Sequence, residues 1–320
     1  MSVLVFVDHD RGTLAPTATQ AFALARELVG GNDIVAVACG SAAESFAASL
    51  GTFGARSVHI LQHRALDAGA PEAIGDAVAA IVRDVAPAAL VATGSERANE
   101  VLAHVAAALD LPFAANVLSV RLGDPIALSR VRWGGSLVEH AELDTTLPIL
   151  SSALHAFSGE PNSDGVAEVD LIDVELGPDA MRTAIVERVE VEAGITLQTA
   201  PVVVSGGRGV GSTEGFAALE RLAELLGGAV GCSRVVTNQG WRPHSDQVGQ
   251  TGKRVAPDLY VACGISGAIQ HWIGMQAAKQ VLAINTDAGA PMVAKADYAV
   301  VGDLHEIVPA IVAEIERRRA

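Results

Sequence analysis

The chain has 320 residues, half of them apolar, and carries a formal net charge of −15 at pH 7. This length suits two α/β domains. Such an acidic surface argues against a nucleic-acid or anionic-lipid ligand. The apolar runs are all far shorter than the roughly 18 residues of a spanning helix, so we expect no membrane insertion. Three widely spaced cysteines, without a Cys-x-x-Cys motif, argue against a disulfide framework or a zinc site and favour a reducing cytoplasm.

The first part of the chain alternates strand and helix patterns. Residues 3–7 predict a first strand rather than a signal peptide, and the residues at 30–33 predict a helix-ending turn. Alternation of this kind predicts a parallel sheet with helices on both faces. The predicted strands are 3–7, 34–39, 57–61 and 88–92, and the predicted helices are 17–29, 42–50, 72–85 and 99–109.

The pattern changes after Pro112, where strand-like segments follow one another without long helices. Gly134-Gly135-Ser136 predicts a hairpin turn, and the polar stretch 158–165 predicts a loop. A half-exposed strand is expected at 185–191, so we place a domain boundary there, with a mixed or parallel α/β domain at 1–187 and a second domain at 188–320. The strand-like segments are 117–122, 127–133, 137–143 and 147–154.

The second domain resumes the alternation, so the whole chain is assigned to the α/β class. A helix is expected to begin near Gly267 and to run to about residue 280. The other predicted helices are 215–226, 293–296 and 304–319, and the predicted strands are 201–205, 229–232, 258–263, 280–285 and 299–301.

Two glycine-rich loops follow strands of this second domain. In the first, at 206–212, glycines would let backbone N–H groups approach a phosphate, and Arg208 adds a guanidinium. The Gly-x-Gly-x-x-Gly spacing fails because Ser212 takes the third glycine position, so a plain tight turn remains an alternative. The second loop is Gly264-Ile265-Ser266-Gly267-Ala268. Ser266 could bind a pyrophosphate or could simply cap the helix. Two such loops favour a dinucleotide.

A polar segment at 247–253 is either an exposed linker or part of the site. Its glutamine amides and the Thr251 hydroxyl could contact the polar edge of a ring. Gln270 and His271 fall in the first turns of the helix after Ser266, where a lone histidine is more often a packing residue. No nucleophile elbow, zinc-protease motif or Walker lysine motif is present. The domain therefore suits holding a ligand rather than activating a nucleophile.

Several of these segments together resemble one family. The stretch Pro257-Asp258-Leu259-Tyr260-Val261-Ala262-Cys263-Gly264-Ile265-Ser266-Gly267-Ala268-Ile269-Gln270-His271 is similar to the signature of electron-transfer flavoprotein α subunits. The same holds for 205–209, 247–253, 283–285 and 296–298, and more weakly for Gly54-Ala55 and for Arg132 with Gly134-Gly135. Two pairs of residues depart from the family pattern, Trp272-Ile273 and Met292-Val293. Both departures replace apolar residues by apolar residues, so we expect them to affect local packing and not cofactor binding.

The resemblance implies a C-terminal Rossmann-like domain that binds FAD across the carboxyl edge of its sheet. The counterpart of Thr251 donates a hydrogen bond to flavin N5, and that of His271 lies at the flavin C2 carbonyl. With Arg234 near the ring, His271 would stabilise negative charge on the reduced flavin as a donor or a cation. The implied cofactor-binding set is Arg208, Ser233, Arg234, Gln247, Val248, Gly249, Gln250, Thr251, Gly264, Ser266, Gly267, Ala268, Gln270, His271, Asn285, Asp303 and Leu304.

The resemblance also implies an electron carrier without a substrate-converting site. Its partner would be an electron-transfer flavoprotein β subunit that carries AMP, with the N-terminal domain as the interaction platform. Acyl-CoA dehydrogenases of fatty acid β-oxidation would donate electrons, and a membrane quinone oxidoreductase would accept them. Three alternatives remain: a bifurcating electron-transfer flavoprotein with a second FAD, an NAD(P)-dependent enzyme on a similar fold, and a binding module without redox chemistry.

Overall fold

The computed structural model describes residues 2–29, 33–178, 180–183, 185 and 195–319. The chain divides into two compact units, Met1–Glu190 and Val191–Ala320. Three sequence predictions fall largely or wholly outside the described residues: the turn at 30–33, the strand at 185–191 and the domain boundary between residues 187 and 188.

The first unit is built on a mixed sheet of nine described strands in the order β11-β5-β4-β1-β6-β10-β7-β8-β9. Strands from β11 to β7 are parallel, and β8 and β9 continue the sheet antiparallel. The strands of this unit are β1 Val3–Phe6, β2 His9–Asp10, β3 Thr13–Leu14, β4 Ile34–Cys39, β5 Ala55–Gln62, β6 Ala89–Thr93, β7 Phe113–Arg121, β8 Ile126–Arg132, β9 Leu137–Leu143, β10 Ile149–Ser152 and β11 Glu168–Asp173. Its helices are α1 Gln20–Val29, α2 Arg64–Asp67, α3 Pro71–Val85 and α4 Glu96–Leu109.

The central strands of this sheet are apolar on both faces. In β1, Val3 and Val5 pack with α1, whereas Leu4 and Phe6 pack with α3 and α4 on the opposite face. Because helices cover both faces, the strand reads as a continuous apolar run rather than as an alternating one. The predicted parallel sheet with helices on both faces is therefore confirmed for this part of the chain.

The helix predicted at 42–50 is wrong in type, because the segment forms two short 3-10 helices, Ser41–Ser45 and Ala47–Phe53. Ser45, Ser49 and Thr52 each donate a side-chain hydrogen bond to the backbone carbonyl three residues earlier, at 2.9, 2.6 and 2.8 Å. Such bonds compete with the α-helical ladder. The sequence reading also missed α2, the β2–β3 hairpin and the edge strand β11, all short or largely polar.

The second unit holds a sheet of five described strands, all parallel, in the order β13-β12-β14-β15-β16. Its strands are β12 Val202–Gly206, β13 Ala229–Cys232, β14 Leu259–Cys263, β15 Gln280–Asn285 and β16 Tyr298–Val301. Its helices are α5 Ala217–Leu225, α6 Arg234–Asn238, α7 Ile269–Met275, α8 Pro291–Lys295 and α9 Leu304–Arg319.

Helices pack on both faces of this second sheet. Val204 of β12 contacts the side of α5 and α9, whereas Val203 beside it contacts the side of α7 and α8. The strand order reverses between β12 and β14. Ligands of open α/β sheets bind at the carboxyl ends of the strands near such a reversal.

The helix expected to run to residue 280 ends earlier, at Met275. Backbone N–H groups of Lys279 and Gln280 instead donate to the carbonyls of Pro257 and Asp258, at 2.9 and 3.1 Å, which begins β15. Helix α6 was not predicted, since five residues are too few to show a helical period.

Candidate functional site

A cavity of about 490 Å³ opens at the carboxyl edge of the second sheet. Pockets for small molecules and cofactors fall in the range of about 300–1,000 Å³. All the predicted site residues except Gly267 line this cavity. Seven further residues that the sequence did not single out also line it: Gly209, Val235, Ile265, Thr286, Asp287, Ala290 and Gly302.

Gly267 does not line the cavity, and its lack of a side chain serves the packing of the second loop against α8. Its φ of +84° lies in the left-handed region, and an added Cβ would lie 2.3 Å from the backbone nitrogen of Met292. The Met292 N–H donates to the Ser266 carbonyl at 3.1 Å. A glycine here lets the second loop press against the start of α8.

The glycines of the first loop also serve packing between loops. The N–H groups of Gly207 and Gly209 donate to the carbonyls of Cys263 and Gly264, at 2.8 and 3.1 Å. A Cβ on Gly207 would lie 2.3 Å from the Gly264 carbonyl oxygen. These two N–H groups are therefore already used, and the phosphate-binding role that we expected of them is not supported. Arg208 and Gly209 of this loop line the cavity, and Arg208 is its charged contribution.

Two cations at the cavity have no acidic partner among the described residues. Arg208 and Arg234 both line it and are exposed, and neither side chain forms an ion pair or hydrogen bond within the described part of the chain. In contrast, Arg221 of the same unit binds Glu316 and Glu224 at 2.6 and 2.8 Å. Guanidinium groups left unpaired in so acidic a protein fit an anionic ligand such as a diphosphate.

The segment at 247–253 is a closed turn, so its reading as an exposed linker is wrong. The Lys253 N–H donates to the Gln247 carbonyl at 2.6 Å, and the Gln250 N–H donates to the Gln270 carbonyl at 2.7 Å. A Cβ on Gly274 of α7 would lie 2.3 Å from the Gly249 nitrogen. Close backbone contact therefore holds the turn on α7 and brings Thr251 and His271 to one cavity.

His271 is buried, with 7% of its surface exposed, and its Nε2 lies 2.9 Å from the Tyr260 hydroxyl. Its Nδ1 has no well-formed hydrogen bond among the described residues. Burial lowers the pKa of His271 to about 4, against a smaller opposite effect of the Val248 backbone. The ring is therefore neutral near pH 7. Of the two roles that we left open, donor or cation, the structure favours the hydrogen-bond donor.

Tyr260, which contacts His271, is a further residue of the site that the sequence analysis did not identify. It is completely buried in β14, and burial raises the pKa of its hydroxyl. A buried tyrosine hydroxyl normally has a hydrogen-bond partner. A tyrosine within an otherwise apolar central strand was the available signal, but the sequence could not show that the partner is His271.

Two aspartates that line the cavity, Asp287 and Asp303, follow the ends of strands β15 and β16. Asp303 accepts from the His305 N–H and Asp287 accepts from the Gly289 N–H, each at 2.9 Å through one carboxylate oxygen. Asn285 donates to the Ile265 carbonyl at 3.0 Å and accepts from the Asp287 N–H at 3.0 Å. Asn285 therefore ties the loop at 264–268 to the segment that follows β15. Each aspartate keeps an oxygen that can accept from a ligand hydroxyl.

Comparison with known proteins identifies the family. The family model described as "Electron transfer flavoprotein domain" matches residues 3–193, and the one described as "Electron transfer flavoprotein FAD-binding domain" matches residues 196–276. The chain belongs to the electron transfer flavoprotein α-subunit family.

Relatives in this family extend over nearly the whole chain. The electron transfer flavoprotein subunit alpha of Mycobacterium leprae is 35% identical over 99% of this chain and 98% of its own. That of Bacillus subtilis is 32% identical over 98% of this chain and 97% of its own. A probable mitochondrial counterpart from Caenorhabditis elegans is 35% identical over 98% of this chain and 93% of its own.

The cofactor of this electron transfer flavoprotein subunit is FAD, and the residues at the cavity fit it. The guanidinium groups of Arg208 and Arg234, unpaired among the described residues, suit its diphosphate and its reduced, negative ring. The aspartates suit its hydroxyl groups. Among the described helices, none combines the length and the apolar character that crossing a membrane requires.

Proposed function

We propose that this chain holds FAD in a heterodimer that takes electrons from flavoprotein dehydrogenases, such as acyl-CoA dehydrogenases, and passes them to a membrane quinone oxidoreductase. The second unit would serve as its Rossmann-like FAD-binding domain. The observation that supports this most is the cavity, which places two unpaired cations, Arg208 and Arg234, with two hydrogen-bond donors, Thr251 and His271.

Arg208 would bind the diphosphate of FAD, and Arg234 would lie near the flavin ring. Both are exposed at the cavity and unpaired within the described residues, so binding requires no existing ion pair to break. Charge-assisted hydrogen bonds from a guanidinium are about twice as strong as neutral ones. Asp287 and Asp303 would accept from hydroxyl groups of the adenosine half.

Thr251 and His271 would face the flavin ring. FAD supplies a ring system that takes up and releases electrons, and the reduced ring carries more negative charge. Fixed donors at that ring favour the reduced state, because they need no rearrangement when charge develops. Tyr260 holds His271 in place at 2.9 Å. None of these residues is asked to move a proton or attack a substrate, so we assign no catalytic residue.

The first unit would contact a β subunit that carries AMP, and the complex would work in the cytoplasm. The β8–β9 hairpin supports an interaction surface there. Trp133 is 78% exposed, and Leu137 and Val138 are each 55% exposed. Neighbouring apolar side chains left in water are typical of protein–protein contact sites.

The test is to co-express this chain with its β subunit, purify the complex and record its visible spectrum. We expect a yellow complex with one FAD per heterodimer that reduced acyl-CoA dehydrogenase reduces directly. Two flavins per heterodimer would instead support the bifurcating alternative. A colourless complex that oxidises or reduces a substrate with NAD(P)H would contradict the proposal, and so would one without any reducible group.

A further inference from the structure

Gln247 lines the cavity, yet its amide oxygen and its amide nitrogen each already have a hydrogen-bond partner within the protein. Only 2% of its surface is exposed. Its Oε1 accepts a hydrogen bond from the Thr237 hydroxyl at 2.8 Å, which is shorter than the 3.0 Å contact of the same hydroxyl with the Arg234 carbonyl. Its Nε2 donates to the Thr251 hydroxyl oxygen at 2.9 Å. The three side chains thus form a chain of hydrogen bonds that runs from α6 through the turn to the cavity.

This chain has a direction, because the groups differ in what they can donate. A hydroxyl has one proton and two lone pairs, whereas an amide NH₂ can only donate. Since Thr251 accepts from Gln247, its own proton remains for another acceptor. Among the described residues, Thr251 donates to no other group, and its side chain is exposed at the cavity.

The backbone holds Gln247 firmly. Its N–H donates to the His244 carbonyl at 3.0 Å, and its carbonyl accepts from Lys253 at 2.6 Å. A Cβ on Gly252 would lie 2.2 Å from the Gln247 carbonyl oxygen, so the turn closes tightly around this residue. These contacts fix the backbone position of Gln247, and burial keeps its amide between the Thr237 and Thr251 hydroxyls.

We infer that Gln247 is a positioning residue: it fixes the Thr251 hydroxyl as a donor whose proton is left for an acceptor on FAD in the cavity. Both polar atoms of the Gln247 amide already have a side-chain partner and the residue is 2% exposed, so we infer that it acts through Thr251. This inference rests on the proposed function and adds to it the residue that orients one of its donors.

The test is a double-mutant cycle in the FAD-loaded heterodimer, with the flavin midpoint potential as the readout. Gln247→Leu should lower the potential, because the Thr251 hydroxyl becomes free to turn away. We expect a three- to tenfold change in the reduced-to-oxidised ratio, about 30–60 mV at 59 mV per decade for one electron. In a Thr251→Val background the same substitution should shift nothing further.

A second variant acts at the other end of the chain. Thr237→Val removes the donor to the Gln247 Oε1 without touching the cavity, and should give a smaller shift that also vanishes with Thr251→Val. Gln239→Leu, an exposed glutamine next to α6, should leave the potential unchanged. If Gln247→Leu fails to fold, the Thr237 cycle alone decides.

Equal shifts in both Thr251 backgrounds would overturn the inference, since Gln247 would then act on the flavin by another route. No shift from Gln247→Leu or Thr237→Val would also overturn it. Either result would leave the proposed function intact as long as the heterodimer keeps its FAD. A wild-type heterodimer that binds no FAD would instead overturn both.

Discussion

The carboxyl edges of the two sheets present similar polar side chains but leave them in different states. In the first unit, Asp8 follows β1 and meets Arg97 at 3.5 Å and the Ser95 hydroxyl at 3.0 Å. Arg97 also donates to the His9 carbonyl at 3.0 Å. In the second unit, Arg208 follows β12 and Arg234 follows β13, and neither has a partner among the described residues.

The difference shows what separates a site from a structural cluster. Charged side chains at strand ends are common to both edges, so their presence alone does not indicate a ligand. Where the charges satisfy one another, the edge is closed and contributes to stability. Where they stay unpaired beside a cavity, the free energy of pairing remains available for a ligand.

The largest effect on the difference between the two edges is expected when Arg208 and Arg234, unpaired among the described residues, are both removed. Arg208→Ala with Arg234→Ala should weaken FAD binding by about 3–6 kcal/mol, since each hydrogen-bonded charge is worth about 1.5–3 kcal/mol. Equilibrium dialysis of the heterodimer, followed by flavin absorbance, measures this. Arg221→Ala is the matched control, because that guanidinium is paired with Glu316 at 2.6 Å. Full flavin occupancy in the double variant would contradict the assignment of these two cations to FAD.

A second variant tests whether the cavity at the carboxyl edge of the second sheet depends on close backbone contact. Gly274→Ala would place a Cβ 2.3 Å from the Gly249 nitrogen, so the turn at 247–253 must move away from α7. Overpacking of this kind costs about 1–3 kcal/mol. We expect a lower unfolding free energy by chemical denaturation and a loss of FAD. Gly177→Ala has nothing within 4 Å of its Cβ and should change neither. A stable, fully loaded Gly274→Ala protein would show that the turn is not held in this way.

Both edges bury a histidine whose pKa is lowered by burial, His9 in the first unit and His271 in the second. His271 has a folded pKa of about 4, below its ordinary value of 6.5. The stability from its neutral ring is therefore complete above pH 6.5 and is lost as pH falls toward 4. Relative to His271→Asn, the wild type should lose about 2 kcal/mol of unfolding free energy between pH 7 and pH 5. A pH-independent difference between the two proteins would mean that the ring is not held neutral.

The smallest effect is expected at the carboxyl edge of the first sheet, where Asp8 is paired with Arg97 and Ser95. Asp8→Ala leaves Arg97 and Ser95 without their shared acceptor and should cost about 1–2 kcal/mol of unfolding free energy. FAD affinity should stay the same, because Asp8 does not line the cavity. Denaturation and dialysis on one preparation measure both quantities. A change in FAD affinity as large as that of Arg208→Ala would remove the distinction between the two edges.

Much of the site followed from local pattern in the sequence. The glycine-rich loops, the polar turn and the helix start at Ile269 each interrupt a regular period, and parallel strands bring such interruptions to one edge. The family resemblance then supplied individual residues, of which Gly267 alone lies outside the cavity lining. It did not supply Val235 or Ala290, whose apolar side chains carry no chemical signal of their own.

The sequence by itself determined the α/β class, the order of most elements and the neighbourhood of the site, because hydrophobic period and turn residues act over short distances. Only the tertiary structure decided which polar groups are satisfied. It pairs the N–H groups of Gly207 and Gly209 with a neighbouring loop, joins Tyr260 to His271 and leaves Arg208 without a partner among the described residues. Hydrogen bonding and charge pairing depend on which segments meet in space, and burial of His271 by those segments sets the protonation state of its ring.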